Sequence, residues 1–135
     1  MIVLDSSFLI AYYNTRDVHH ASAARMMIQL IGGKWGRGLL LEYVFLETVT
    51  VLRARRDRKV AVTVGRILLD AREIDFVPCS DIFSNTFETF GRDRSHDLSF
   101  ADAAIVTVAR RHSPGFVATF DSDFNAIRGV SVVVS

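Results

Sequence analysis

Short apolar runs alternating with segments of helical spacing constrain this chain more than any other feature of its sequence. Residues 2–4, 38–41, 74–77, 116–120 and 130–134 are strand-length and mainly apolar, and Ile2-Val3-Leu4 reads as a strand buried on both faces. Between them, residues 8–13, 18–31, 43–56, 60–72, 82–90 and 99–111 carry helix patterns. The boundaries are chemically marked: cap formers at Asp5-Ser6-Ser7, glycines at Gly32-Gly33, Pro78, and Ser113-Pro114-Gly115. Strands that alternate with helices pair in parallel through crossovers. The expectation is therefore an α/β fold, a three-layer α/β/α sandwich around a parallel sheet of about five strands. Residues 91–97 are polar enough to be read as a mobile surface loop but too few to divide domains.

The length of 135 residues suits one domain over 1–135, and a composition that is 50% hydrophobic, with ten Phe, suffices for a core. A formal charge of +1 gives no overall electrostatic argument for nucleic-acid binding, although all basic residues except Lys34 and Lys59 are arginines. One cysteine, Cys79, cannot form an internal disulfide. The N-terminus lacks the basic and cleavage-site pattern of a leader, and no uncharged apolar run reaches spanning length. These features lead to the expectation of a soluble, cytoplasmic protein with no membrane partner.

Four carboxylates stand in apolar surroundings. Asp5 ends the first strand; Glu47 lies among Tyr43, Val44, Thr50 and Val51 on a helix; Asp102 opens a helix above Ile105 and Val106; Asp121 follows the strand ending at Phe120. An ionised carboxylate so placed costs several kcal/mol unless charge or hydrogen bonds offset it. In open α/β sheets the ligand crevice lies beyond the carboxyl ends of the strands, where Asp5 and Asp121 would project and Asp102 and Glu47 could reach. Two carboxylates about 4 Å apart repel by roughly 4 kcal/mol at an effective dielectric of 20. Such a group takes up protons or holds a hard cation, Mg²⁺ or Mn²⁺, suited to phosphodiester hydrolysis.

Each acid also has a purely structural reading. Asp5 fits a cap of the following helix, Ser99-Phe-Ala-Asp102 fits a capping box, and Asp121 with Asp123 fits an Asx-turn. Glu47 has no capping role, and its structural alternative is a buried ion pair, for instance with Arg53.

Ile2-Val-Leu-Asp-Ser-Ser7, Tyr43-Val-Phe-Leu-Glu-Thr48, Leu98-Ser-Phe-Ala-Asp-Ala103 and Val117-Ala-Thr-Phe-Asp-Ser-Asp-Phe124 resemble, in order and spacing, the four acidic motifs of PIN domains. The compact length is similar to VapC-type toxins of toxin–antitoxin pairs. The resemblance implies sheet order 3-2-1-4-5 and Asp5, Glu47, Asp102 and Asp121 as catalytic, metal-centred acids. It further implies Asp123 as an auxiliary acid, with Ser6, Ser7 and Thr119 in support. It implies an Mg²⁺- or Mn²⁺-dependent endoribonuclease, a homodimer, and inhibition by a cognate VapB-like antitoxin. Glu42 is left as a helix cap rather than a ligand. A non-toxin PIN nuclease acting in RNA processing or on DNA is the alternative within the fold.

Other classes fit poorly. A receiver-type signalling module needs a lysine after a late strand, which neither Lys34 nor Lys59 supplies. An aspartyl phosphatase would want an acid where Ser7 stands, and no Gly-x-Gly-x-x-Gly is present for a dinucleotide. Arg92 and Arg94, just before the third motif, are candidate RNA contacts. The basic run Arg53-Ala-Arg-Arg-Asp-Arg-Lys59 could meet phosphates but fits a solvated helix end better. His19-His20 reads as a helix start, His112 as a dipole partner, and Cys79 as unreactive.

Overall fold

The structure, a computed structural model, describes residues 1–93 and 96–133. Five strands, β1 (Ile2–Leu4), β2 (Gly38–Leu41), β3 (Ile74–Val77), β4 (Phe116–Ala118) and β5 (Ser131–Val132), pair in parallel in the order 3-2-1-4-5. Among the described residues six helices accompany them: α1 (Ser6–Tyr13), α2 (His20–Ile31), α3 (Glu42–Arg55), α4 (Arg58–Asp70), α5 (Cys79–Arg92) and α6 (Phe100–Ala109). Right-handed crossovers from β1 to β2 to β3 put α1 to α4 on one face, and the return to β4 puts α5 and α6 on the other. The packing agrees, with α1 against α2 and α3, α3 against α4, and α5 against α6.

Burial follows position in the sheet. β1 and β2 are buried along their whole length, and β1 supplies Ile2, Val3 and Leu4 to the core, as expected of a strand covered on both faces. The edge strands β3 and β5 are only partly covered and tolerate Asp75 and Ser131. Helix α6 is buried from Ala103 to Ala109, and its small and β-branched side chains let it lie close against β1 and β4. Among the described residues no helix is long and apolar enough to cross a membrane.

Chain direction reverses between β1 and β4: from β1 the chain winds one way across the sheet, and from β4 the other. Connections diverge there and leave a crevice at the strands' carboxyl ends. Leu4 pairs with Ala118 in register, so Asp5 and Thr119 are the next residues on each side.

Several boundaries differ from expectation for local reasons. Helix α1 begins at Ser6 because the Asp5 carboxylate accepts the Ser6 N–H. The second helix begins at His20 rather than 18, because Asp17 Oδ1 accepts the His19 N–H and holds a turn there. Helix α5 takes in Cys79 through Arg92, so Gly91 and Arg92, expected in a loop, form its last turn. Its first N–H, on Cys79, is accepted by Glu42 Oε1 at 2.9 Å; Glu42 does cap a helix, but not its own. The fourth strand stops at Ala118, since Thr119 turns its hydroxyl to Asp5. The last strand is Ser131–Val132, and Val134 lies outside the described residues.

Candidate active site

Asp5 is fastened at the switch point by backbone and side chain together. Its N–H donates to Ala118 O at 3.0 Å, tying the end of β1 to β4. Its side chain, 6% exposed, accepts three hydrogen bonds: Ser6 N–H to Oδ1 at 2.8 Å, and the Ser7 and Thr119 hydroxyls to Oδ2 at 2.8 and 2.6 Å. Those hydroxyls are acceptors in their turn. Ser7 Oγ takes the Phe120 N–H at 2.9 Å and Thr119 Oγ1 takes the Asp121 N–H at 3.0 Å. The loop carrying Asp121 is thus tied to Asp5 through two side chains with no freedom to drift apart.

The other acids reach this knot from three elements. Glu47, on the second turn of α3, accepts the Ser6 hydroxyl at 2.6 Å and is otherwise exposed. Asp102 is the third residue of α6 and forms the expected capping box, taking the Ser99 N–H at 3.3 Å while its own N–H donates to Ser99 Oγ at 3.1 Å. Asp121 Oδ1 accepts the Asp123 N–H at 2.9 Å in an Asx-turn leading into a 3-10 turn, Ser122–Phe124. Asp123 is exposed, contributes its backbone there, and is not among the residues lining the cleft described below.

Burial raises the Asp5 carboxyl above its ordinary value, against the pull of the Thr119, Ser7 and Ser6 donors, and the Glu47 charge adds to the rise. Burial likewise raises Asp102, opposed by Ser99 and reinforced by the charges of Asp5 and Asp121. All four acids therefore belong to one repelling group. Among the described residues none of them joins an ion pair, so the buried pairing considered for Glu47 and Arg53 does not form.

Unneutralised, partly desolvated carboxylates with hydroxyl neighbours are an oxygen-only donor set, which fits Mg²⁺ or Mn²⁺ and not softer ions. Among the described residues no three His, Cys, Asp or Glu side chains are grouped to hold an ion by themselves.

A cleft of about 290 Å³ opens beside the knot, lined in part by Ser6, Ser7, Glu47 and Asp121. It also includes Asp17, His19, Phe120 and Arg55, of which only Arg55, in the basic run of residues 53–59, was weighed above as a phosphate contact. The signal for Arg55 was available, since Glu47, Val51 and Arg55 recur every four residues and share a helix face. For His19 no local pattern existed. Its ring lies flat on Phe120, with centroids 4.4 Å apart and planes 4° from parallel. Arg92 is elsewhere, lining a recess with Arg110 and Arg128 at the end of α6 opposite Asp102. Arg94 lies outside the described residues.

Known proteins place this geometry. VapC20 of Mycobacterium tuberculosis, a Sarcin-Ricin loop cleaving toxin, matches over 100% of both chains with a TM-score of 0.84 and 27% identity. VapBC2 from Rickettsia felis, bound to a DNA fragment from its promoter, shares the fold at a TM-score of 0.69 and 13% identity, again over 100% of both chains. A VapC ribonuclease of Archaeoglobus fulgidus is 28% identical over 54 residues, which are 40% of this chain and 35% of that protein. A PIN domain family model matches residues 2–130. With that span and the acid-bearing switch point between β1 and β4, the chain belongs to the PIN domain family.

Proposed function

We propose that the protein is a metal-dependent endoribonuclease, one PIN domain over residues 1–135, that acts as the toxin of a VapBC-type pair. The observation that carries this reading is the set of Asp5, Glu47, Asp102 and Asp121 at the end of β1, linked by charge and without an ion-pair partner among the described residues, with Glu47 and Asp121 lining an open cleft. Similarity along the whole chain to an RNA-cleaving toxin supports RNA as the substrate.

When bound, Mg²⁺ or Mn²⁺ supplies Lewis-acid stabilisation of the phosphate and lowers the pKa of water. Asp5 is the best-prepared ligand, because three donors orient it before any ion arrives. Asp121, tied to Asp5 through Thr119, and Asp102, whose carboxyl feels the charges of both, would serve as further ligands, directly or through water. Glu47 faces the cleft with one oxygen fixed by Ser6, a placement that suits orienting the attacking water and receiving its proton. The water oxygen adds to phosphorus as the P–O bond to the leaving ribose opens in line. Arg55 offers a guanidinium for the non-bridging oxygens.

The partners that follow are RNA, a VapB-like antitoxin covering the cleft, and a second copy in a homodimer, all within the cytoplasm. The deciding experiment incubates purified protein with total RNA in Mg²⁺, Mn²⁺ or EDTA, beside Asp5→Asn. Discrete fragments that need both metal and Asp5 are expected. Cleavage that persists in EDTA, or in the folded variant, would remove the assignment.

A further inference from the structure

The His19–Phe120 stack is unexplained by the acid chemistry, yet it shares the cleft with Glu47 and Asp121. Its two rings come from residues 101 positions apart, so only the tertiary fold assembles them. Both are held firmly. The His19 backbone is fixed by Asp17 Oδ1 at 2.9 Å and by its own carbonyl, which accepts the Ala23 N–H at 2.9 Å. The Phe120 N–H donates to Ser7 Oγ, the hydroxyl that also donates to Asp5 Oδ2. The stack is therefore one hydrogen-bonded step from the central acid, and Phe120 immediately precedes Asp121. His19 is exposed while Phe120 is partly buried, so the column has a covered inner ring and an outer ring open to solvent.

Unpaired bases of RNA are recognised by stacking on aromatic and imidazole rings, whereas duplex RNA presents no free base face. A rigid aromatic ledge beside a phosphodiester-cutting site is suited to that task. The arginine on α3, Arg55, lines the same cleft at the distance of two helical turns from Glu47 and suits an RNA phosphate.

We propose that the His19–Phe120 stack is a nucleobase platform, on which an unpaired base next to the scissile phosphate lies against the outer face of His19 while Arg55 holds a neighbouring phosphate. The platform explains how a protein of nearly neutral net charge grips RNA: by one stacked base and one local cation rather than by a broad basic field. It also restricts the substrate to single-stranded or loop RNA. The proposal rests on the ribonuclease reading, and its test separates the two.

Short single-stranded RNAs, each carrying 2-aminopurine at one position, are titrated onto the full chain in an Asp5→Asn background with Mg²⁺. One position is expected to be quenched on binding. Substituting His19→Ala there abolishes that quenching and weakens binding about five- to a hundred-fold. His19→Phe restores both and His19→Leu, apolar but without a π face, restores neither. Arg55→Ala weakens binding at every position and lowers the salt slope by about one. Quenching and affinity unchanged in His19→Ala, or equal in His19→Leu and His19→Phe, would overturn the platform. If the wild-type protein cuts RNA with metal while the His19 variants bind and quench normally, the platform alone fails. If His19-dependent quenching is present but the wild type never cuts, the ribonuclease reading alone fails. Absence of both removes both.

Discussion

Asp5 and Glu47 are both joined to Ser6, one through its N–H and the other through its hydroxyl, yet they live in opposite environments. Asp5 is buried and takes three hydrogen bonds, while Glu47 is exposed and takes one, from Ser6. The first is a group whose desolvation is met by fixed donors before anything binds; the second keeps its water and its freedom. The difference teaches that an acidic centre need not be uniform. One carboxylate is held by three donors in the interior, and the other by one donor with the rest of it open to solvent.

Breaking the buried side should have the largest effect. Asp5→Asn removes the negative charge on which the group is centred, and RNA cleavage should fall by about 10⁴-fold. The variant should remain folded by circular dichroism, since the amide still accepts the Ser6 N–H. On the exposed side, Glu47→Gln keeps an acceptor for Ser6 and loses the base; cleavage should drop about 10²-fold. Thermal unfolding of that variant should stay within about 0.5 kcal/mol of wild type, as for other exposed positions. Equal activity losses for Asp5→Asn and Glu47→Gln would dissolve the distinction drawn between them.

Thr119→Val tests the fixed donors themselves. It deprives Asp5 of its shortest hydrogen bond and leaves the Asp121 N–H without an acceptor. Urea titration should show a loss of about 2 kcal/mol, with cleavage reduced about tenfold through a misplaced Asp5.

The smallest effect is on stability as a function of pH and metal. Burial raises Asp5 and Asp102, so the folded protein binds these protons more tightly than the unfolded chain. Their contribution is full below the ordinary carboxylate value of 3.8 and is lost as pH rises through the raised values. Without metal, mild acidification should therefore stabilise through these two groups, and Asp5→Asn should flatten the response. At neutral pH, Mn²⁺ at ten times its Kd should add about 1.4 kcal/mol, an increment that disappears as the acids protonate. Calorimetry across pH with Mn²⁺ or EDTA measures both. A metal increment that persists unchanged in Asp5→Asn would place the ion elsewhere.

The structural roles weighed for the acids are all present and leave the catalytic reading open. Asp102 does form the capping box, Asp121 does form the Asx-turn, and Asp5 does cap the helix after it. Those local roles are what aim the carboxylates. Helix and strand order was legible because apolar runs and cap residues act within a few positions of themselves. Glu47 was read as desolvated because its sequence neighbours are apolar, but only Val44 among them is buried, while Val51 faces the cleft with Glu47, which is exposed. Arg92 was placed near the acids by adjacency along the chain, but α5 and α6 run in the same direction, with Thr89 against Thr107, and that carries Arg92 to the far end of α6 beside Arg110.

The sequence by itself determined the alternation of strands and helices, the parallel sheet and the capping acids Asp5, Asp102 and Asp121, because burial pattern and capping are encoded locally. Only the tertiary structure decided that Thr119 holds Asp5, that Ser6 holds Glu47, and that His19 lies on Phe120. Those contacts join residues far apart in the chain, and the first exists only once β1 and β4 are side by side.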